Sequence, residues 1–203
     1  MTTSIPERER LRREMRRRRS DLSQRERMAA AHAIAQSLYR LRVLRRGAHV
    51  AAYIAHRGEV DLGPTLARAR SQRCNVYLPS VTRADAGLMR FVRFDDRRAL
   101  RRNRFGILEP HRDAMSTPVR RLDVILLPLV AVDARGWRLG SGAGFYDRSL
   151  AHLRYGRRWR RPRLIGVAYE FQRVAQLEPQ PWDVPLDAVV TERGFYPTAR
   201  LRP

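Results

Sequence analysis

The feature that most constrains the fold is an apolar run followed directly by a glycine-rich stretch. Residues 124–130 read Val-Ile-Leu-Leu-Pro-Leu-Val, which has the length and composition of a buried strand. Residues 136–144 contain glycines at alternate positions near their end, and residues 145–153 can form a helix. The sequence therefore predicts a strand, a glycine-rich loop and a helix, in that order.

This loop has the composition of an anion-binding site. Gly140, Gly142 and Gly144 lack a Cβ, so backbone N–H groups can approach a ligand closely. The start of the following helix adds unpaired N–H groups and the positive end of its dipole. Arg138 can donate paired hydrogen bonds to phosphate, and Asp147 can hold a divalent cation. A plain turn is the alternative, because the spacing is neither the Walker pattern nor the dinucleotide fingerprint.

The length of the chain indicates a single domain, residues 1–203, and its composition fits a reducing cytosol. The single Cys74 excludes an internal disulfide and a multi-cysteine metal cluster. No apolar segment has the length of a membrane span, and the charged N-terminus does not resemble a signal peptide. We therefore expect a soluble cytoplasmic protein without membrane association.

The net charge of +22 suggests a polyanion partner such as nucleic acid. However, all 42 basic residues are Arg and none is Lys, which partly reflects a coding bias, and the charge is spread along the chain. The aromatic residues are not interleaved with Arg in a stacking pattern. We therefore expect incidental polyanion binding, and a dedicated nucleic-acid-binding protein is the less favoured alternative.

The N-terminal part of the chain has two helical patterns. Residues 6–19 predict a charged helix in which Leu11 and Met15 form a thin apolar seam. Residues 23–26, Ser-Gln-Arg-Glu, form a capping box that opens a second helix. The predicted apolar face of that helix consists of Met28, Ala31, Ile34, Ala35, Leu38 and Leu41.

Further apolar runs predict strands separated by helices or long loops. They lie at residues 49–55, 75–79, 88–94, 164–169 and 188–191. A helix with Asp61 as its cap and Pro64 in its first turn separates the first two. The pattern predicts a single-domain α/β fold with a largely parallel central sheet flanked by helices and an N-terminal helical hairpin.

The glycine loop and its surroundings also resemble a known family. Residues 122–148 read LDVILLPLVAVDARGWRLGSGAGFYDR, which is similar to the signature of the 5-formyltetrahydrofolate cyclo-ligases, also called methenyltetrahydrofolate synthetases. Arg8-x-x-Leu11-Arg12 resembles the family's Lys-x-x-Leu-Arg. Residues 105–110 resemble its Gly-x-x-Glu-Pro element, for which we expect a turn without a chemical role. The resemblance covers nearly the whole chain.

The resemblance implies an ATP- and Mg-dependent enzyme with small-molecule substrates. It would convert 5-formyltetrahydrofolate to 5,10-methenyltetrahydrofolate and release ADP and phosphate. In the family's scheme the formyl oxygen attacks the γ-phosphate, N10 closes the ring and phosphate leaves. These steps need charge neutralisation and in-line positioning more than acid–base catalysis.

The resemblance also assigns residues to the site. The expected catalytic residues are Arg138 and Tyr146, and the expected folate contacts are Ile54 and Glu59. The expected Mg²⁺ ligands are Asp147 and Asp183. ATP is expected to contact Arg8, Arg12, Arg138, Leu139, Gly140, Ser141, Gly142, Ala143, Gly144, Phe145 and Tyr146. From residue type alone, Glu59 would be a solvated loop acid, and Arg8 and Arg12 part of a solvated helix face.

Some positions depart from the family's pattern. Ala143 replaces Gly or Lys, and Phe145 replaces Tyr. Gln180 and Trp182 stand where a Glu and a His commonly precede Asp183. The first two changes remove a charge or a hydroxyl from the site, and the last two alter the surroundings of a proposed metal ligand. A catalytically impaired relative that binds folate or nucleotide is therefore a second alternative.

Overall fold

The apolar runs of the sequence form the strands of a central sheet. The structure is a computed structural model that describes residues 5–81, 88–94, 100–103, 106–110, 115–154 and 161–198. The strands in these ranges are β1 (His49–Ala51), β2 (Asn75–Val81), β3 (Met89–Arg93), β4 (Leu100–Arg102), β5 (Leu108–Pro110), β6 (Ser116–Thr117), β7 (Val124–Pro128), β8 (Ala131–Val132), β9 (Arg138–Leu139), β10 (Arg163–Val167), β11 (Ala188–Val190) and β12 (Phe195–Pro197).

The central sheet is mixed but mostly parallel at its centre. Within the described residues it has eight strands, in the order β12-β11-β10-β7-β1-β2-β3-β6. The neighbours from β11 to β2 pair in parallel, whereas β12, β3 and β6 add antiparallel pairs at the two sides. Two further antiparallel pairs, β4 with β5 and β8 with β9, lie outside this sheet. The predicted largely parallel sheet is confirmed.

Among the described residues, α2 (Gln24–Arg40), α3 (Gly63–Ser71) and α4 (Phe145–Leu150) flank this sheet, and α1 (Ile5–Asp21) packs against the β8–β9 pair. The sheet therefore has a buried cluster on each face. Along β7, Val124 and Leu126 belong to a cluster with α2 and α3, and Ile125 and Leu127 belong to a cluster with α4. Burial on both faces explains why this strand reads as a continuous apolar run. Each such side chain contributes roughly 1.5–3 kcal/mol when fully buried.

The N-terminal helical hairpin also forms as predicted. The Glu26 N–H donates to Ser23 Oγ at 3.2 Å and the Ser23 N–H donates to Glu26 Oε2 at 2.8 Å, so the capping box closes. Met15 of α1 is buried, with Leu11 beside it, against Leu139 of β9. No helix within the described ranges combines the length and apolarity that crossing a membrane requires.

The predicted apolar face of α2 is wrong at both ends. Met28 and Leu41 are 54% and 46% exposed, whereas Ile34 and Leu38 are fully buried. Met28 lies about 90° around the helix axis from the centre of the buried face, at 100° per residue. Leu41 is the C-cap and follows the last helical residue.

Asp61 lies one residue before the N-cap position of α3, which Leu62 occupies. Its Oδ1 accepts a hydrogen bond from the Gly63 N–H at 2.9 Å, so it still caps the start of this helix.

Two predicted segments differ from the structure. The strand predicted at residues 49–55 ends at Ala51, because the chain then leaves the sheet and Tyr53 Oη donates to the Val60 carbonyl at 3.0 Å. Residues 106–110 contain a turn at Gly106 but continue into strand β5, so the expectation of a turn alone is wrong. Phe105, the first residue of that predicted element, lies outside the described residues.

Candidate active site

A cavity of about 520 Å³ opens at the carboxyl ends of the parallel strands. Its walls include Tyr53 and Ile54 after β1, Pro79 and Val81 in the last part of β2, and Leu129 after β7. The helices α3 and α4, which follow β1 and β7, pack on opposite faces of the sheet. Open α/β sheets bind ligands where neighbouring connections diverge in this way. The topology therefore explains the position of the cavity.

The cavity brings together most of the predicted site residues. Those that line it are Ile54, Glu59, Arg138, Gly140, Ser141, Ala143, Gly144, Phe145, Tyr146 and Asp147. The predicted residues outside its lining are Arg8, Arg12, Leu139, Gly142 and Asp183. Among these, Leu139 packs in the core and its carbonyl accepts from the Val130 N–H at 2.8 Å, so its side chain serves the fold.

Two of the three glycines of the loop have a backbone conformation that favours glycine. Gly142 and Gly144 have φ of +113° and +66°, which other residues rarely adopt. Gly140 has no positive φ, and a Cβ there would meet no protein atom within 4 Å. Neither strain nor packing explains the glycine at position 140. The open space beside Gly140 leaves its backbone accessible to a ligand.

Arginines of α1 hold this loop in place. Arg12 Nε donates to the Gly140 carbonyl at 3.0 Å, and Arg16 Nη2 donates to the Ser141 carbonyl at 3.1 Å. Burial lowers the pKa of Arg12, and the neighbouring charges of Arg8 and Arg16 lower it further. Arg8 instead reaches the Glu178 carbonyl at 2.8 Å, outside the cavity. The α1 helix therefore places a row of positive charge behind the loop.

Arg138 and Asp147, on either side of the loop, form an ion pair. Arg138 is buried, and its Nη2 donates to Asp147 Oδ1 at 2.6 Å. Arg138 Nη1 also donates to the Val184 carbonyl, and the Val184 N–H donates to Asp147 Oδ1 at 3.3 Å. Removing one member of a buried pair leaves the other charge uncompensated. The pair therefore fixes both side chains at the wall of the cavity.

The loop after β1 carries an acid into the cavity. The Glu59 N–H donates to the His56 carbonyl at 3.2 Å, and the His56 N–H donates to Glu59 Oε2 at 3.1 Å. Burial raises the pKa of Glu59, and the His56 N–H and the charge of Arg19 oppose this effect. Glu59 is therefore not the solvated loop acid that its residue type alone would suggest. Ile54 lies half-buried in the same loop and packs against the core.

Tyr146 lies between the loop side and the acid side of the cavity. Burial raises its pKa, the charge of Glu59 raises it further and the charge of Arg138 lowers it. The phenol therefore keeps its proton at physiological pH and can donate a hydrogen bond. Phe145 is half-buried, and the Arg148 guanidinium lies 5.4 Å from the centre of its ring.

The two predicted metal ligands differ in their surroundings. Asp147 lines the cavity, and the two hydrogen bonds described for it both go to Oδ1. Asp183 lies outside the lining; its Oδ2 accepts from the Gln180 N–H at 2.9 Å and lies 3.6 Å from Arg8 Nη2. The described residues contain no group of three or more His, Cys, Asp or Glu side chains that could hold a metal ion. Asp147 fits a metal that shares its other ligands with phosphate and water, as Mg²⁺ does.

The departures at Gln180 and Trp182 leave Asp183 supported. Gln180 supplies its backbone N–H, which any residue except proline provides. Trp182 is 60% exposed. The substitution at position 180 therefore leaves the backbone hydrogen bond to Asp183 in place.

Sequence reasoning missed several residues of the site. Arg16 and Arg19 line the cavity, and they follow Arg8 and Arg12 on one face of α1 at spacings of three or four residues. This helical spacing in the sequence could have identified Arg16 and Arg19 as members of the same face. Glu109, assigned no role, is 2% exposed and accepts from the Val81 N–H at 3.0 Å and from Asn103 Nδ2 at 3.2 Å, so it anchors one wall of the cavity.

The chain is similar to known proteins over most of its length. The 5-formyltetrahydrofolate cyclo-ligase family model matches residues 4–192. A 5-formyltetrahydrofolate cyclo-ligase from Haemophilus influenzae is 33% identical over 182 residues, which cover 88% of this chain and 94% of that protein. One from Escherichia coli is 38% identical over 143 residues, covering 70% and 76%.

A solved structure gives the same result. The Aquifex aeolicus 5,10-methenyltetrahydrofolate synthetase superposes with a TM-score of 0.77 at 30% identity, and the match covers 95% of this chain and 93% of that one. Fold, motif order and sequence therefore agree along the chain. This protein belongs to the 5-formyltetrahydrofolate cyclo-ligase family of enzymes.

Proposed function

We propose that this enzyme uses ATP and Mg²⁺ to convert 5-formyltetrahydrofolate to 5,10-methenyltetrahydrofolate, with release of ADP and phosphate. The observation that carries the proposal is the shared cavity. A glycine loop backed by arginines forms one part of its wall, and the partly buried acid Glu59 forms another. A phosphate donor and a folate can therefore meet in one cavity.

The phosphate side of the cavity supplies charge and backbone donors. The formyl oxygen attacks the γ-phosphorus and ADP leaves; N10 then attacks the formyl carbon, loses its proton, and phosphate departs from that carbon. Negative charge must be neutralised in the first step and the reactants held in line. Gly140, Ser141, Ala143, Gly144 and Arg138 line the cavity, so the N–H groups of these loop residues and the Arg138 guanidinium would supply the donors and the charge. Arg12 and Arg16 keep the loop in shape through its carbonyls.

The folate side supplies orientation. Glu59 would accept hydrogen bonds from the pterin, and Ile54 would offer an apolar surface to it. Tyr146, a neutral phenol near both Glu59 and Arg138, would donate a hydrogen bond near the reacting formyl group.

Asp147 is the residue that would hold Mg²⁺ at the phosphates. The ion would neutralise phosphate charge when bound. Because the described residues offer no preformed cage, we expect the ion to enter together with the nucleotide. Asp183 keeps a structural role with Arg8 in this assignment.

The decisive experiment mixes purified enzyme with 5-formyltetrahydrofolate, ATP and Mg²⁺ and follows the methenyl product by its near-ultraviolet absorbance. We expect product only when ATP and a divalent metal are both present. Omission of ATP, and chelation of the metal, are the matched controls. If no product forms at high enzyme concentration while folate still binds, the protein is the impaired relative.

A further inference from the structure

Arg19 is a buried arginine whose guanidinium is incompletely satisfied by the protein. The residue is 3% exposed and lines the cavity from α1. Its Nε is buried without a hydrogen-bond partner, and none of the ion pairs between described residues involves Arg19. A buried donor left unpaired is costly, and it costs more when the group is charged. The side chain therefore points to a ligand that completes its hydrogen bonds.

The turn that carries Glu59 packs directly on α1 at Arg19. Arg57 and Gly58 both have positive φ, +50° and +75°, which makes residues 56–59 a tight turn. A Cβ on Gly58 would lie 3.4 Å from Arg19 Cβ and 3.6 Å from the Arg19 carbonyl oxygen. This close packing fixes the position of Glu59 relative to Arg19.

The charges of Arg19 and Glu59 lie close enough to affect each other, but the two side chains do not form an ion pair among those described. Burial lowers the pKa of Arg19, and the charge of Glu59 is the main effect that opposes this. Among the described ion pairs, however, none joins the two side chains at 4.0 Å or less. The cavity therefore presents a donor group and an acceptor group side by side.

We propose that Arg19 and Glu59 together recognise the edge of the pterin ring, with Arg19 reading the 4-oxo oxygen. That edge presents one acceptor followed by two donors: the 4-oxo oxygen, the N3–H and the 2-amino group. An arginine N–H beside the two oxygens of a carboxylate is the complementary pattern. The inference rests on the proposed function, because it takes the folate as the substrate, and it adds a specificity-determining residue to that site.

A phosphate group is the other ligand that a cavity arginine could bind. Glu59 disfavours this assignment, because its carboxylate beside Arg19 would repel a phosphate at the same place. The phosphate side also has its own cations: Arg12 and Arg16 bond to the glycine loop, and Arg138 pairs with Asp147. Arg19 is thus matched to a neutral ligand edge that contains both an acceptor and donors.

The test compares two variants and one control by equilibrium binding, without turnover. Arg19→Met removes the donors and keeps a long side chain, whereas Arg19→Lys keeps the charge but not the planar fork. Arg17→Met is the control, since Arg17 is an exposed arginine of α1 and the net charge changes equally. We expect Arg19→Met to raise the Kd for 5-formyltetrahydrofolate by about 10- to 100-fold and the Kd for ATP by less than about twofold.

A matched pair of ligands isolates the contact itself. The 4-amino analogue of the substrate replaces the 4-oxo acceptor with a donor and also removes the N3–H. The wild type and Arg17→Met should prefer the 4-oxo compound by about tenfold or more, and this preference should be severalfold smaller in Arg19→Met. Any effect of the analogue on Glu59 is common to the backgrounds and cancels in the comparison. An unchanged preference in Arg19→Met would overturn the assignment. A loss of affinity for ATP as large as that for the folate would show that Arg19 binds the phosphates instead.

The outcomes separate this inference from the proposed reaction. If the wild type forms product while Arg19→Met keeps its preference for the 4-oxo ligand, the inference fails and the function stands. If an Arg19-dependent preference is found without product formation, recognition stands and the reaction fails. Thermal unfolding of each variant checks that it is folded. Should Arg19→Met not fold, Arg19→Gln, whose shorter side chain carries no charge, replaces it, and a preference equal to that of the wild type would count against the contact.

Discussion

We propose two roles for each residue of the ion pair between Arg138 and Asp147, one in the fold and one in the reaction. Arg138 is buried and bridges Asp147 and the Val184 carbonyl. Arg138→Ala should lower kcat by roughly 100-fold or more, because it removes a fixed charge from the phosphate side. It should also lower the melting temperature, because Asp147 loses its partner. Activity and thermal unfolding are measured on the same samples, and unchanged kcat in a folded variant would contradict the phosphate role.

Asp147→Asn separates metal binding from positioning. The amide keeps the size of the side chain and one oxygen, but it is a weaker ligand for Mg²⁺. We expect activity to fall and to recover partly as Mg²⁺ is raised. The matched control is Asp183→Asn, whose activity should not respond to Mg²⁺ because Asp183 lies outside the cavity lining. The reverse pattern would make Asp183 the metal ligand.

The protonation of Glu59 predicts that the KM for the folate rises at acidic pH. Burial raises its pKa, so the carboxylate becomes protonated at a higher pH than an ordinary glutamate does. A protonated acid accepts fewer hydrogen bonds, so the KM for the folate should rise as the pH falls through this pKa. The KM for ATP should not follow. Glu59→Gln should raise the folate KM by about tenfold or more at neutral pH and abolish its acid limb. A larger effect on the KM for ATP would mean that the two substrates are placed wrongly.

At this scale the sequence predicted residues within one motif better than residues brought together by folding. Arg138 and the glycines stand close together in the chain, so a local pattern announces them. Arg12 and Arg16 donate to carbonyls that lie 128 and 125 residues away in the chain, and no local sequence pattern indicates these partners. Arg19 looks like its exposed neighbours until the turn at Gly58 is seen to pack on it.

At the scale of elements, strands within a run of apolar residues were predictable, and the two-residue strands were not. β7 and β10 are five residues long and carry a run of buried apolar side chains. β6, β8 and β9 have two residues each, too few for any alternating pattern, and they exist because a partner strand is present. The wall of the cavity around β4 and β5 also depends on Glu109, whose bonds cross between segments.

The glycine loop offers a variant that tests ligand approach apart from stability. A Cβ at Gly140 would meet no protein atom within 4 Å, so Gly140→Ala should leave the melting temperature nearly unchanged. It should raise the KM for ATP by about tenfold, equivalent to about 1.4 kcal/mol of binding. Gly136→Ala is the contrasting variant, because φ is +90° there and a Cβ would lie 2.6 Å from the Leu186 carbonyl. That change should lower stability first. An unaltered KM in Gly140→Ala would show that no ligand approaches this part of the backbone.

At the scale of the whole molecule, a second cavity lies at the amino ends of the parallel strands, opposite the candidate active site. It has a volume of about 820 Å³, and its lining includes Asp123 and Val124 at the start of β7 and Arg163 at the start of β10. The arginines that line it are Arg40, Arg42, Arg45, Arg46, Arg161 and Arg163. Asp123 is the one acid among the described lining residues, and it pairs with Arg45 and Arg161. This end of the molecule is therefore strongly positive.

The position of this arginine-lined cavity predicts where incidental polyanion binding occurs and how it differs from catalysis. Binding of DNA or RNA releases counterions, so the logarithm of the affinity should fall steeply and linearly with the logarithm of the salt concentration. The binding should show no sequence preference. The double variant Arg42→Gln, Arg46→Gln should reduce the salt slope by roughly one to two, while kcat and both KM values stay unchanged because these residues lie at the opposite end of the sheet. Fluorescence anisotropy with two unrelated oligonucleotides over a salt series measures the slope, and the absorbance assay measures activity. Binding that survives moderate salt and selects one sequence would instead establish a dedicated nucleic-acid partner.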